Sequence, residues 1–129
     1  MIIAGVDEAG RGPLAGPVVS AAVILNSQAN LIGLNDSKKL SADKRQSLSN
    51  EIKIHSVSWS IGVATVQEID DINILRASLL SMARAIKNLS EVPEKVIVDG
   101  QYAPEMDVPC EAIIRGDSLE ESIMAASIL

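Results

Sequence analysis

The chain has no phenylalanine and, in 129 residues, one tryptophan (Trp59), one tyrosine (Tyr102), one cysteine (Cys110) and one histidine (His55). Each scarcity excludes something. A platform that stacks single-stranded bases needs several exposed rings, which this chain does not have. A single cysteine permits neither an internal disulfide nor a multi-cysteine zinc site, and it suits a reducing cytoplasm; a small, buried apolar role is expected for it. With one histidine and no evident nucleophile beside it, no Ser-His-Asp or Cys-His arrangement is suggested, and His55 is expected at the surface. No apolar run approaches the ~20 residues of a membrane span, and the N-terminus lacks a basic region with a cleavage site, so a cytoplasmic protein is expected. Basic residues are few as well: 11 Lys and Arg against 17 Asp and Glu leave a formal charge of −6. No general basic surface draws in a polyanion, so nucleic-acid binding needs local basic spots or a divalent metal.

What remains is aliphatic, and the length fits one domain, residues 1–129, that buries roughly two thirds of its unfolded surface. No internal repeat or linker interrupts it. Ile2 to Val6 reads as a short buried strand and Val18 to Leu25 as a second, rich in β-branched residues. The Gly/Pro segment between them is too short for a parallel crossover, which predicts an antiparallel pair. A helix is expected from an N-cap at Ser41 to about Ile54, then a third strand over Val57 to Ala64 in which Val57, Trp59, Ile61 and Val63 alternate with small or polar residues. One long helix is expected from Gln67 to Leu89, with Ile69, Ile72, Leu75, Leu79, Met82, Ala83 and Ile86 as its core stripe. Lys95 to Gly100 and Glu111 to Arg115 complete the strands. Leu119 to Leu129 begins helically and stops without a C-cap, an ending that reads as cut short. The order suggests an α/β fold, one mixed sheet with helices packed against it.

Carboxylates then stand out by position. Asp7 and Glu8 end the first strand, Asp99 ends the fourth, and Asp117 follows the fifth. Each alone reads as a solvated turn as readily as a functional group. Together, if the three strands are parallel neighbours, they converge at one sheet edge, where ligands of open α/β sheets gather. Oxygen ligands with room for water suit Mg²⁺ or Mn²⁺, and two such ions about 3.5–4 Å apart can drive phosphodiester hydrolysis. Glu68, Asp70, Asp71, Glu91, Glu94, Glu120 and Glu121 are expected on solvated helix faces.

The turn Gly10-Arg11-Gly12-Pro13-Leu14-Ala15-Gly16 fails as a dinucleotide-binding loop, by its spacing and because a strand follows it. Its glycines instead let backbone approach a ligand closely, with Arg11 in reach of a phosphate. Lys38 and Lys39 are further candidate phosphate contacts, or solvated lysines before a helix.

Asp7-Glu8-Ala9-Gly10-Arg11-Gly12-Pro13, Leu34-Asn35-Asp36-Ser37-Lys38-Lys39-Leu40, Glu68-Ile69-Asp70 with Asn73-Ile74-Leu75, Val98-Asp99-Gly100, Gly116-Asp117-Ser118 and Ala125-Ala126-Ser127-Ile128-Leu129 occur in that order. This ordered set closely resembles bacterial type 2 ribonuclease H, ribonuclease HII, over essentially the whole chain. The resemblance implies a ribonuclease H-like mixed five-stranded sheet flanked by helices. It implies endonucleolytic cleavage of the RNA strand of RNA–DNA hybrids, including incision 5′ to a single ribonucleotide in duplex DNA, leaving 3′-hydroxyl and 5′-phosphate ends. Asp7, Glu8, Asp99 and Asp117 match the family's catalytic, metal-holding carboxylates, with Mn²⁺ or Mg²⁺ as cofactor. Gly10-Arg11-Gly12 matches the segment that senses the ribose 2′-hydroxyl. Family members continue past Ser-Ile-Leu with basic helices and a junction-stacking tyrosine, to which Tyr102 does not correspond. A chain lacking those helices is expected to keep the metal site in outline, grip substrate weakly and self-associate through the face they leave. The alternatives are a non-catalytic interaction module and another two-metal nuclease on the same sheet, such as a junction resolvase.

Overall fold

The structure, a computed structural model, describes residues 2–9, 16–25 and 42–114. Among them are eight elements: β1 (Ile3–Ala9), β2 (Val18–Ile24), α1 (Ala42–His55), β3 (Ser58–Ala64), α2 (Val66–Ile72), α3 (Ile74–Asn88), β4 (Lys95–Asp99) and β5 (Cys110–Ile113). The strands form one mixed sheet in the order β3-β2-β1-β4-β5. β1 and β2 pair antiparallel, as the short connection requires, and β3 adds antiparallel to β2. On the other side β4 joins β1 in parallel and β5 joins β4 in parallel. Among the described residues no helix is long and apolar enough to cross a membrane.

The core lies between the sheet and α3. Ala4 and Val6 of β1, Ala22 and Ile24 of β2 and Val96 and Val98 of β4 meet Met82, Ala85, Ile86 and Leu89. Val6, Val96 and Val98 are fully buried, and each contributes about 1.5–3 kcal/mol relative to exposure. Cys110 is half-buried against this cluster as the expected apolar filler, and burial pushes its thiol pKa up.

Two expectations change. The alternation in β3 is present, but Ser58, Ser60, Gly62 and Ala64 point inward, while Trp59 and Val63 remain exposed. The inward face of α3 adds small residues to the expected stripe: Ala77, Ser78, Ser81 and Ala85 are buried beside Met82 and Ile86, while Leu75, Leu79 and Ala83 of that stripe are only half-buried. Small residues on both surfaces let the helix backbone approach the strands closely. Three of the hydroxyls find local partners: Ser20 Oγ lies 2.6 Å from Ser81 Oγ, and Ser60 Oγ donates to the Ala85 carbonyl.

The single long helix is also two. α2 ends and α3 begins at Asn73, whose φ of +74° is incompatible with continued helix. The Asn73 side chain accepts from the Arg76 amide at 3.0 Å, so it caps the helix it starts. α2 opens with a capping box: Thr65 Oγ1 accepts from the Glu68 amide, and Glu68 Oε1 accepts from the Thr65 amide at 3.0 Å.

Glu68 is therefore no simply solvated acid. Arg84 of α3 donates to both its oxygens at 2.6 Å and to the Val63 carbonyl at 2.7 Å, tying α2, α3 and β3 together. The Arg84 hydrogen bond first, then the Thr65 amide, holds the Glu68 carboxyl down at about 2, from an ordinary 4.5. The folded state thus keeps this carboxylate charged where the unfolded chain protonates it. Its stabilisation is complete above about pH 4.5 and disappears as the pH falls toward 2. Glu68→Gln, which preserves the capping box, is expected to show a shallower loss of Tm across that window than the parent chain. Thermal melts at stepped pH measure the difference, and identical acid limbs would remove the assignment.

Candidate active site

The parallel pairing of β1 with β4 runs from Ile3 opposite Lys95 to Val6 opposite Val98. The next residue on each strand is an aspartate, Asp7 and Asp99, so the two carboxylates stand on neighbouring strands just past the paired stretch, Asp99 as the last residue of β4 and Asp7 two residues before the end of β1. Strand alternation assigns their faces. Ala4, Val6, Val96 and Val98 point at α3, so Asp7 and Asp99 belong to the opposite face and Glu8 to the α3 side. The Asp7 carboxylate accepts from the Glu8 amide at 2.9 Å, which fixes the first acid against the backbone of the second. β5 pairs in parallel on the far side of β4, with Ile113 opposite Asp99, and the Gly100 amide donates to the Ile113 carbonyl at 3.0 Å. Gly100 adopts φ +130°, where a side chain would be strained, and there the chain leaves the sheet immediately after Asp99.

These acids border a cleft of about 400 Å³ at the sheet edge. Asp7, Glu8, Asp99, Gly100, Gln101 and Tyr102 form one wall, and Leu75, Ser78, Leu79 and Met82 of α3 form the other. The expected convergence of strands one, four and five is therefore observed, and three of the four candidate carboxylates share one cavity. Asp117, Gly10, Arg11, Gly12, Lys38 and Lys39 lie outside the described residues.

An all-carboxylate donor set at an open, polar cleft fits a hard divalent cation that keeps part of its water, and it does not fit a soft or nitrogen-preferring metal. Among the described residues, however, no three His, Cys, Asp or Glu side chains are gathered closely enough to form a ligand cluster. The donor chemistry fits, while the described part of the ligand set is incomplete.

Several wall residues carried no functional signal in the sequence. Leu75 and Leu79 belong to the stripe expected to be core, yet they face the cavity. Ser78 sits among them as one polar residue in a helical pattern. Tyr102, 55% exposed, stands two residues beyond Gly100 at the cleft. The Asp-Gly turn that closes β4 was the available pointer to Gln101 and Tyr102, because a tight exit keeps the following residues beside the strand end.

The model of the Ribonuclease HII family matches residues 4–129 of this chain. A protein of Dechloromonas aromatica (strain RCB) named ribonuclease HII is 52% identical over 128 residues, covering 99% of this chain and 65% of that protein. The chain thus spans less than two thirds of that relative's length. Among solved structures, the ribonuclease H2 from Pyrococcus horikoshii OT3 is similar with a TM-score of 0.83 at 27% identity, covering 99% of this chain and 69% of that one. Bst-RNase HIII in complex with Mn²⁺ shares the fold with a TM-score of 0.72 at 20% identity, covering 99% of this chain and 50% of that one.

Proposed function

The chain belongs to the ribonuclease HII family, and from that premise we propose that it is a metal-dependent endonuclease acting on the RNA strand of RNA–DNA hybrids. The proposal includes incision 5′ to a single ribonucleotide in duplex DNA, with 3′-hydroxyl and 5′-phosphate products. The observation that carries it is the side-by-side placement of Asp7 and Asp99 where the parallel ladder of β1 and β4 ends, in one cleft with Glu8.

Asp7, Glu8 and Asp99, joined by Asp117, would hold one or two Mn²⁺ or Mg²⁺ ions. When bound, such ions lower the pKa of a water and stabilise the leaving oxygen of a phosphodiester. The chain's own residues position the reaction. The hydrogen bond from the Glu8 amide holds the Asp7 carboxylate in one orientation before anything binds. The exit from the sheet at Gly100 brings Gln101 and Tyr102 to the cleft beside Asp99. Gly10-Arg11-Gly12 takes the role of detecting the 2′-hydroxyl, the group that separates RNA from DNA. Lys38 and Lys39 take backbone phosphates, supplying local positive charge that the net charge of −6 does not. A hydrolase of this kind would work in the cytoplasm during DNA replication and repair.

The test is incubation of the chain with Mn²⁺ or Mg²⁺ and two labelled duplexes, one a hybrid and one a DNA carrying a single ribonucleotide. Cleavage of both with 3′-hydroxyl ends is the expected result. Preference for branched DNA would point instead to a resolvase.

Self-association belongs to the same proposal. β3 is an edge strand whose outer face carries Trp59 and Val63, 39% and 40% exposed, with Val57 at 47% just before it. An apolar edge of this kind favours pairing with a second copy. Sedimentation velocity over a wide concentration range should show a growing dimer; a monomer throughout would remove this part.

A further inference from the structure

Ser78 is a buried polar side chain of the cleft that the proposed chemistry does not use. It lines the cavity beside Glu8, yet it is 2% exposed, and its Oγ has no hydrogen-bond partner among the described atoms. Other buried serines at this interface are satisfied. Ser81 Oγ donates to the Ser78 carbonyl at 2.8 Å and meets Ser20 Oγ, while Ser60 Oγ donates to the Ala85 carbonyl. A buried hydroxyl without a partner is costly, and it persists where a bound state supplies one.

The register shows what stands nearby. Ser20, which meets Ser81, is the β2 residue opposite Glu8. From there to the Ser60–Ala85 contact, α3 runs back along the sheet toward Ala22, the partner of Val6. Ser78, one turn in the other direction, therefore reaches the carboxyl end of β1 on the face where alternation places Glu8. A carboxylate has about four acceptor positions, so Glu8 can take this donor in addition to any other contact.

We propose that Ser78 is a positioning residue of the acidic cleft, its hydroxyl donating to the Glu8 carboxylate and holding it in the orientation that binds a divalent ion. The inference rests on the reading of this cleft as a metal site. A hydrogen-bond donor to a metal-binding carboxylate fixes its direction.

The experiment compares the full chain with Ser78→Ala and Ser78→Thr, using Mn²⁺ alone, by calorimetric titration and by melting without metal. Ser78→Ala is expected to weaken Mn²⁺ binding about tenfold. Its metal-free Tm should stay level or rise, because an unsatisfied buried group has been removed. Ser78→Thr, which keeps the hydroxyl, should retain the affinity of the parent chain. Parent-like Mn²⁺ affinity in Ser78→Ala overturns the inference, and so does a lowered metal-free Tm with equal loss of affinity in both variants, which marks packing alone. A parent chain that takes up no Mn²⁺ overturns the metal reading itself, and the inference with it.

Discussion

Replacing Asp99 by Asn should lower metal-dependent cleavage of a hybrid duplex by about 10²–10³-fold or more while leaving the fold intact. The side chain keeps its size and one carbonyl oxygen but loses the charge a hard cation needs. Nothing in the packing of β4 depends on that charge: the strand is held by its ladders to β1 and β5 and by Val96 and Val98 in the core. Removing the charge should therefore leave the metal-free Tm close to that of the parent chain. Mn²⁺ should correspondingly raise the Tm of the parent chain more than that of Asp99→Asn, since a ligand stabilises the state that binds it. Cleavage rates and melts with and without Mn²⁺ measure both effects. Metal-dependent cleavage that survives the substitution at full rate would falsify the assignment of Asp99.

The second large effect is expected far from any charge. A Cβ added at Gly62 would lie 2.1 Å from the Ser81 carbonyl oxygen and 2.3 Å from the Ala85 nitrogen. Both are helix backbone atoms, which no rotamer change moves aside. Conformational freedom is not the reason for glycine here, because Gly62 is not among the residues with positive φ. Close approach is. Gly62→Ala must lift α3 from the sheet, separating Ser20 from Ser81 and Ser60 from the Ala85 carbonyl. A loss of about 3 kcal/mol, on the order of 10 °C in Tm, is expected. Because the same helix carries Ser78, Leu75 and Leu79 into the acidic cleft, Mn²⁺ binding should weaken as well. Chemical denaturation and metal titration check the two consequences, and a Tm within a degree or so of the parent's would show that the helix has room to shift.

The Glu68–Arg84 pair and Gly62 show where a reading of the sequence was incomplete. Thr65 and Glu68 stand three residues apart, the signature of a capping box. The continuous apolar spacing from Ile69 to Ile86 by itself predicts one helix starting near Gln67. Asn73 breaks that helix because its side chain caps the next one, a choice that the 3.6-residue period does not register. The inward face of α3 is wider than the expected stripe for a related reason. Met82 and Ile86 of that stripe are core, but serine and alanine carry little hydrophobic signal, so the small face at Ala77, Ser78, Ser81 and Ala85 that meets β3 closely is not marked by apolar spacing.

By itself the sequence determined most of the local structure: where strands and helices fall, the antiparallel turn from β1 to β2, and acids placed where strands end. These follow from short-range physics, from side-chain alternation, helical spacing and the reach of a short connection. Only the tertiary structure decided that β1 and β4 are parallel neighbours, because that ladder joins Val6 to Val98 across three helices and two intervening strands. No local period encodes such a pairing; it is selected by burying Ala4, Val6, Val96 and Val98 together under α3. With that choice made, Asp7 and Asp99 come side by side, in one cleft with Glu8 and Ser78.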